Sequence, residues 1–422
     1  MHQKGGNMEK LSLKAGAGKA EIQFVKEDFP LKAFTGIHDR IHVRVLIMES
    51  KVSMALVSVE LTSLPAEAVS RFQQECSTAA GIDREAVFVS VTHTFSAPHI
   101  PPHITNEQER KLSDTMYDRI CTAIREASGK AKASIQPASA EYCEASCCLN
   151  VNRNEATPKG YWIGRNEDAF SDHTVRILKF RHKDQVFACL INYDIQASVM
   201  DQSHAAAGGR LISADMAGAA CRKLEQEHEM TAFFLPGCAG DQAPILRAVR
   251  TDADGTVDDL HEDGFVLAEQ LGEYLAERVV TAAEIPHNQN SKGCMDVCPR
   301  IVSVTADLPA QEMKYPTREL RPQKQYSFDL TGETIPTPIT CIRLGDVCIL
   351  MTAPELNSGF GTKIREILGE KLLIGTLVNG AVKYLPEADD FERITYEAMN
   401  TKLGPGSAEK FLEIISGLKH KI

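Results

Sequence analysis

The chain has 422 residues, of which 43% are hydrophobic and 24% charged, a composition typical of a globular protein with an ample core. Its formal net charge of −11 argues against a nucleic-acid partner, whose phosphates it would repel. The sequence contains no run of about 18 or more apolar residues, so stable membrane insertion is not expected. The amino-terminal residues also lack the apolar centre of a signal peptide, which predicts a cytoplasmic protein.

Predicted strands and helices alternate along the chain. Short β-branched runs predict strands at Val43–Met48, Met54–Leu61, Val87–Thr92, Thr174–Phe180, Val186–Tyr193, Ala232–Leu235, Ile301–Leu308, Thr340–Leu344, Val347–Met351 and Leu373–Leu377. Longer patterns predict helices at Ala66–Thr78, Asn106–Ser128, Ala214–His228, Val257–Ala282, Thr362–Leu368 and Ser407–Leu418. Several strands are apolar throughout, as strands covered on both faces are. We therefore predict an α/β fold, a single large layered domain over residues 8–422 with mixed β-sheets flanked by helices, after a flexible tail of residues 1–7. No internal repeat is visible.

Two groups of cysteines and two polar stretches carry no clear chemistry. The cysteines, which lack the usual spacing of a zinc knuckle and are interpreted as reduced, inert thiols, are Cys143, Cys147, Cys148, Cys294 and Cys298. The stretch from Asp252 to Asp263 lacks the glycine of an EF-hand and is interpreted as a solvated acidic loop. Tyr315–Pro338 is long for a structureless connection, and both a surface excursion and a binding loop remain open.

Two segments end a strand in polar residues. In VFVSVTHTFSAPHIPPH, His93 directly follows a predicted strand, where an imidazole can ligate a metal or act as a base, or simply cap the strand. In FFLPGCAGDQAP, Asp241 lies in a glycine-rich turn. A structural turn is the simpler interpretation of Asp241, and the alternative is that it orients a metal-bound histidine.

Three further segments have the same character. INYDIQASVMDQSHAAAGGRLISAD leads from a strand into a loop that ends at Asp215, the predicted N-cap of the next helix. VCILMTAPELN places Glu355 between a strand and a helix, where a carboxylate is either a ligand or a cap. LVNGAVKYLPEADDFERITYEAMNTKLGPG contains Tyr384.

A series of short motifs, in the same order, resembles the catalytic N-terminal domain of the neutral/alkaline non-lysosomal ceramidases. GIHDRIHVRVLIME is similar to that family's Gly-Ile-x-Asp entry, and VTHTFSAP to its Thr-His-Thr-His-Ser-Gly-Pro motif. LNVNRN resembles its Asn-Arg segment, SADMAG its Asp-Tyr-Pro-Gly helix start, and AGDQAP its Gly-Asp-Val-Ser-Pro. The remaining series, similar to the family's last signature, is Asn379, Tyr384, Tyr396-Glu397 and Gly404-Pro405. The resemblance extends over nearly the whole chain.

The resemblance implies a zinc-dependent amide hydrolase in which metal-bound water attacks the carbonyl of an N-acyl lipid. In that family two histidines, a glutamate and a tyrosine hold the metal. His93, Glu355 and Tyr384 match the first histidine, the glutamate and the tyrosine. Arg153 matches an arginine that faces the substrate, and Asp241 is expected to orient a metal-bound histidine without binding the metal itself.

Three positions depart from the family pattern. Gln196 stands at the second histidine, and an amide oxygen is a poorer zinc donor than imidazole. Phe95 stands at a second motif histidine, and Ala243 at a serine.

The departures leave three interpretations open. The site binds another metal with His99, His204 or Asp194 in the gap, or it binds zinc weakly through three ligands and water, or it has become a metal-free binding protein. We predict a hydrolase of an amide or ester bond in a small-molecule substrate other than ceramide. Its Zn²⁺ or similar ion is expected at His93, Gln196, Glu355 and Tyr384, and Arg153, Asp241 and Tyr384 are the expected catalytic groups.

Overall fold

The structure, a computed structural model, describes residues 13–251, 256–284 and 299–422, so the predicted tail, Cys294 and Cys298 lie outside the described residues. The helices are Ala66–Ala80 (α1), Glu107–Ala133 (α2), Asp215–Glu227 (α3), Asp263–Ala283 (α4), Ser358–Leu368 (α5), Ala388–Arg393 (α6), Tyr396–Met399 (α7) and Ser407–Leu418 (α8). No helix within these ranges is long and apolar enough to span a bilayer.

The strands of the first half of the chain are Lys14–Glu21 (β1), Phe34–Ile37 (β2), His42–Glu49 (β3), Ser53–Val59 (β4), Val87–Val91 (β5), Gln136–Pro137 (β6), Ser139–Ser146 (β7), Asn150–Thr157 (β8), Gly160–Asn166 (β9), Thr174–His182 (β10) and Gln185–Tyr193 (β11). Those of the second half are Arg210–Ile212 (β12), Thr231–Pro236 (β13), Gln242–Pro244 (β14), Val249–Thr251 (β15), Val257–Asp259 (β16), Arg300–Gln311 (β17), Leu330–Leu344 (β18), Val347–Thr352 (β19), Glu355–Leu356 (β20), Leu372–Gly375 (β21) and Tyr384–Leu385 (β22).

The same succession of elements occurs three times. Three antiparallel strands are followed by a helix and then by a strand that lies parallel to the third: β1-β3-β4-α1-β5, β7-β10-β11-α3-β13 and β17-β18-β19-α5-β21. The three sheets consequently have the same strand order, to which the first adds β6 at one edge. The repetition is one of topology, which explains why the sequence shows no repeat.

The three sheets face one another across a shared core. Side chains from all three, among them Leu46, Phe180, Phe233, Ile342 and Met351, form one buried cluster. The outer face of each sheet is covered by its own pair of helices, α1 with α2, α3 with α4, and α5 with α8. Strands such as β5 and β19 are therefore buried on both faces, and the predicted layered α/β architecture is confirmed.

The predicted helix Val257–Ala282 is wrong at its start. Val257–Asp259 pairs with β15 as a strand, and α4 begins only at Asp263. The Asp259 side chain accepts a hydrogen bond from the amide of His261 at 2.9 Å, a local bond that competes with helix formation. The predicted acidic loop is thus partly strand and helix start, and residues 252–255 of it are not described.

The predicted loop Tyr315–Pro338 is also partly strand. Its last residues, from Leu330, belong to β18 and pair with β17. Asp215, predicted as an N-cap, is instead the first residue of α3. Its carboxylate accepts the amides of Val199 and Met200 at 3.2 and 2.9 Å and so ties the loop after β11 to the helix.

Candidate active site

Each of the three sheets contributes one segment to a common buried site. His93 follows β5, Gln196 follows β11, and Glu355 begins β20 shortly after β19, so all three lie beyond the carboxyl ends of buried strands. Tyr384 joins them because β22 pairs in parallel with β20, with Tyr384 opposite Glu355. Four positions that are far apart in the sequence are thus brought together.

His93 is fixed in an uncommon conformation that aims its ring at Glu355. Its φ of 62° is left-handed, which costs a non-glycine residue about 1 kcal/mol or more and is typical of functional positions. Nδ1 lies 2.6 Å from the carbonyl oxygen of Thr62, so it carries the hydrogen and donates it. Nε2 is left as the lone-pair nitrogen, facing Oε2 of Glu355.

The contact between His93 and Glu355 has the spacing of two ligands on one ion. Nε2 and Oε2 are 3.2 Å apart. The pair does not form a hydrogen bond, and buried Nε2 has no hydrogen-bond partner among the described residues. Two atoms that each bind zinc at tetrahedral geometry lie about 3.3 Å apart. Donation from the other ring nitrogen to a backbone carbonyl is the usual support of a metal-binding histidine.

Gln196 hydrogen-bonds Glu355 through its amide nitrogen. Nε2 of Gln196 donates to Oε2 of Glu355 at 3.1 Å, and Oε1 of Gln196 accepts from Nη1 of Arg153 at 3.0 Å. Rotating this amide to offer its oxygen to an ion would turn its NH₂ group toward a guanidinium. As oriented, Gln196 supports the Glu355 carboxylate and does not present a free donor atom.

Arg153 is a buried cation held by one carboxylate and two aromatic rings. Nε and Nη2 both donate to Oε1 of Glu397, at 2.9 and 2.7 Å. The guanidinium carbon lies 5.5 Å from the centre of the Tyr384 ring and 5.7 Å from that of Tyr396. Burial alone would lower the pKa of Arg153, but Tyr384 and Glu397 carry it above the usual value.

The Tyr384 phenol stays protonated at neutral pH. Burial, and then the charge of Glu355, raise its pKa well above the usual value, although Arg153 opposes the shift. A buried neutral phenol beside a carboxylate is a hydrogen-bond donor.

Asp241 lies in the wall behind Arg153. Its carboxylate accepts from Nδ2 of Asn152 at 2.8 Å, from the Ser358 amide at 2.9 Å and from Gln242. Its backbone carbonyl accepts the Arg153 amide at 2.9 Å. Burial raises the pKa of Asp241 to about 6. The contacts position β8 and the start of α5, whereas His93 is oriented by Thr62.

The residues suggested as substitutes for the missing histidine lie elsewhere. The Asp194 carboxylate accepts the Cys238 amide and the Ser358 hydroxyl at 2.8 and 3.0 Å, a structural role. His204 is exposed in a loop bound to Asp259. His99 is exposed in the loop after β5. Phe95 packs its ring edge-on against His93, with 4.8 Å between ring centres.

Glu397, Tyr396 and Trp162 belong to the site although the sequence reasoning assigned them no role. Glu397 neutralises Arg153, and the Trp162 ring stands edge-on to Tyr396 at 5.4 Å. The Tyr396-Glu397 pair lies in the last of the resembling motifs, and that signal could have identified both. Nothing in the polar β8–β9 sequence predicts the position of Trp162.

The retained donors fit a divalent ion in part. His93 Nε2 and Glu355 Oε2 have the required spacing, and the Tyr384 phenol is adjacent, whereas the Gln196 oxygen is already bonded to Arg153. Among the described residues, no group of three or more histidine, cysteine or acidic side chains is arranged to hold a metal. These residues permit a divalent ion with two protein ligands, a neighbouring phenol and water.

Comparison with solved structures shows that the chain has the fold of neutral ceramidases. It matches the crystal structure of neutral ceramidase from Pseudomonas aeruginosa with a TM-score of 0.69 and 16% identity, over 98% of this chain and 75% of that chain. It matches a ceramidase complexed with C2 with a TM-score of 0.70 and 15% identity, over 98% of this chain and 76% of that chain. No family model and no curated protein matches the sequence. At these identities the likeness establishes the fold, and it confirms the resemblance at that level.

Proposed function

We propose that the protein is a metal-dependent hydrolase that cleaves an amide or ester bond of a small molecule. The observation that carries the proposal is the 3.2 Å approach of Nε2 of His93 to Oε2 of Glu355 without a hydrogen bond. The fold shared with neutral ceramidases supports a hydrolase. A divalent ion held by His93 and Glu355, with water in its other positions, would supply Lewis acidity toward a carbonyl oxygen and a water of lowered pKa.

The surrounding residues prepare this chemistry. Thr62 fixes the tautomer of His93, and Gln196 holds the carboxylate of Glu355 by a hydrogen bond. Tyr384, which keeps its proton, is placed to donate to the oxygen that gains charge when a carbonyl is attacked. Arg153 presents a fixed positive charge to a polar group of the substrate, with Glu397 holding its orientation.

Metal content of the purified protein tests the proposal. We expect near-stoichiometric zinc or another divalent ion in the wild type, measured by mass spectrometry, and its loss in His93→Ala and Glu355→Ala, because each variant removes one of the closely spaced donors. His103→Ala is the matched control, since it removes an exposed histidine of the same segment. It should retain the metal.

A second variant tests the role of Gln196. Gln196→His supplies an imidazole where an amide now stands, and we expect tighter zinc binding in competition with a chelator. A wild type that stays metal-free after reconstitution, together with a Gln196→His variant that binds zinc, would contradict the proposal. That result would instead support the alternative, a metal-free binding protein on this fold.

A further inference from the structure

The surface next to the buried site is basic and partly open to solvent. Arg247 follows β14, Arg210 begins β12, and His99 lies in the loop after β5; Asp201 stands among them. We call these four residues the basic wall. The side chain of Arg247 is 27% exposed and that of Asp201 19% exposed. The His99 ring is reached by solvent, yet burial among neighbouring atoms and the charges of His93 and Arg210 lower its pKa, as at the mouth of a concavity.

The positive charges of the basic wall are incompletely neutralised. Arg247 donates through Nη2 to Asp201 at 3.4 Å, a long contact, and its buried Nε has no partner among the described residues. Burial lowers the pKa of Arg247, and the nearby charge of Arg153 lowers it further. Arg210 donates through Nη2 to the Phe95 carbonyl at 2.9 Å. Burial lowers the pKa of Arg210 too, and Asp201 opposes that shift.

Two buried arginines near the core, Arg44 and Arg153, have close carboxylate partners. Arg44 contacts Glu60 at 2.6 Å and Glu225 at 2.7 Å, and Arg153 has Glu397. By contrast, Arg247 and Arg210 share one carboxylate. The chain has a net charge of −11, so a partly buried surface with excess positive charge is opposite in sign to the molecule as a whole.

The basic wall faces the proposed metal site. The Phe95 carbonyl that binds Arg210 belongs to the residue whose ring lies against His93. Arg153, which acts electrostatically on Arg247, is bonded to Gln196 beside Glu355. An anion on the wall would therefore belong to the same bound molecule as a carbonyl group near Glu355.

We propose that the basic wall binds an oxyanion, a carboxylate or a phosphate, carried by the substrate close to the bond that is cleaved. The inference rests on the proposed function, because it names the class of substrate of the same site. A planar guanidinium pairs with such anions through two parallel hydrogen bonds, and the partly exposed Arg247 side chain, held only by the 3.4 Å contact with Asp201, can supply such donors. The substrate class is then an acylated anionic compound, which excludes neutral N-acyl lipids.

Binding of small anions, measured by calorimetry on the full chain, tests the inference without turnover. The probes are N-acetylglycine, its uncharged counterpart N-acetylglycinamide, and inorganic phosphate. We expect N-acetylglycine or phosphate to bind and N-acetylglycinamide to bind about tenfold more weakly or not at all. Preference for phosphate over N-acetylglycine, or the reverse, identifies which oxyanion the wall takes.

Variants with opposite expected effects on anion affinity distinguish anion binding by the basic wall from a purely structural role of its residues. Arg247→Gln should weaken anion binding by about tenfold or more, because it removes the charge-assisted donors. Asp201→Asn should tighten binding, because it removes the carboxylate that competes for both arginines. Arg250→Gln, which removes an exposed arginine of the same segment, should change nothing. Thermal unfolding checks that each variant is folded.

The outcomes for the inference and for the proposed function are distinct. Equal affinities for the charged and uncharged probes, no anion binding at millimolar concentrations, or weaker binding by Asp201→Asn would overturn the inference. If the wild type holds a metal and hydrolyses neutral amides as well as anionic ones, the function stands and the inference fails. If the protein binds no metal but binds anions through Arg247, the inference stands and the hydrolase is rejected.

Discussion

The buried carboxyl groups near the site differ in how their charges are compensated. Glu397 faces the buried guanidinium of Arg153, whereas Asp390 at the start of α6 accepts from Nδ2 of Asn357 at 2.7 Å, from the Glu387 amide at 3.0 Å and from the half-exposed Arg393 at 3.2 Å. Burial raises the pKa of Asp390 to about 7, and the charge of Glu397 contributes. Asp390 therefore carries a proton over part of the neutral range.

The raised pKa of Asp390 predicts a loss of stability with rising pH. The folded protein binds the proton more tightly than the unfolded chain, whose pKa is near 3.8. This contribution to stability is complete below pH 3.8, falls by up to about 1.4 kcal/mol per pH unit above it, and is lost once the pH has passed about 7.

Asp390→Asn should remove this pH-dependent contribution to stability. The measurement is the free energy of urea unfolding at several pH values between 4 and 8. Asp389→Asn, at an exposed neighbour on the same helix, should leave the pH dependence as in the wild type. An unchanged profile in Asp390→Asn would contradict the assignment.

At the residue scale, the sequence singled out residues that the structure brings close together, but it did not predict their orientations. His93, Glu355 and Tyr384 were found because they match short motifs, and the structure brings them together. That Gln196 turns its NH₂ toward Glu355 follows from Arg153, a partner 43 positions away in the chain, and no local pattern contains that information.

At the scale of elements, β1 shows why some strands were missed. Its sequence KAGAGKAE lacks the β-branched residues that predict strands. Glycine is required there because α2 packs its backbone directly onto the strand: a Cβ at Gly18 would lie 2.3 Å from the carbonyl oxygen of Ala127. The polar strands β7–β9 were missed for the related reason that tertiary contacts, and not propensity, hold them.

Two glycine substitutions, one in β1 and one in α2, should have opposite effects on the stability of the protein. Gly18→Ala should destabilise the protein by about 1–3 kcal/mol, because α2 must move away from β1. Gly129→Ala should stabilise it by about 0.5–1 kcal/mol, because Gly129 is exposed inside α2 and an added Cβ meets nothing within 4 Å. Urea unfolding of both variants measures the difference; a neutral Gly18→Ala would show that the strand and helix are less closely packed than described.

At the scale of the whole molecule, the shared core of the three sheets sets the relative positions of the site segments. The sequence predicted layered α/β structure correctly, since apolar strands such as VFVSV indicate burial on both faces. It could not predict the threefold succession, because the sheets share topology without shared residues.

Two core substitutions should separate stability from site geometry. Phe233 lies in the core between the sheets, and Phe72 belongs to α1 and packs on the outer side of the first sheet; both are fully buried. Each change to alanine should cost about 3–5 kcal/mol. Only Phe233→Ala should also weaken zinc binding, measured by chelator competition at a temperature where both variants are folded. Equal zinc affinities would mean that the sheets keep their spacing without this ring.

The left-handed conformation of His93 depends on contacts that are complete only after several parts of the chain have folded. The conformation is held by partners from other parts of the chain. The Thr92 amide donates to the Val59 carbonyl at 3.0 Å, and the Thr94 hydroxyl donates to the Ser213 carbonyl at 2.9 Å. A nascent chain that has folded only its first sheet lacks the Ser213 contact, and also lacks Glu355. Under the proposed function, such an intermediate would lack one of the two closely spaced donors, so capture of an ion would report that the last sheet has docked.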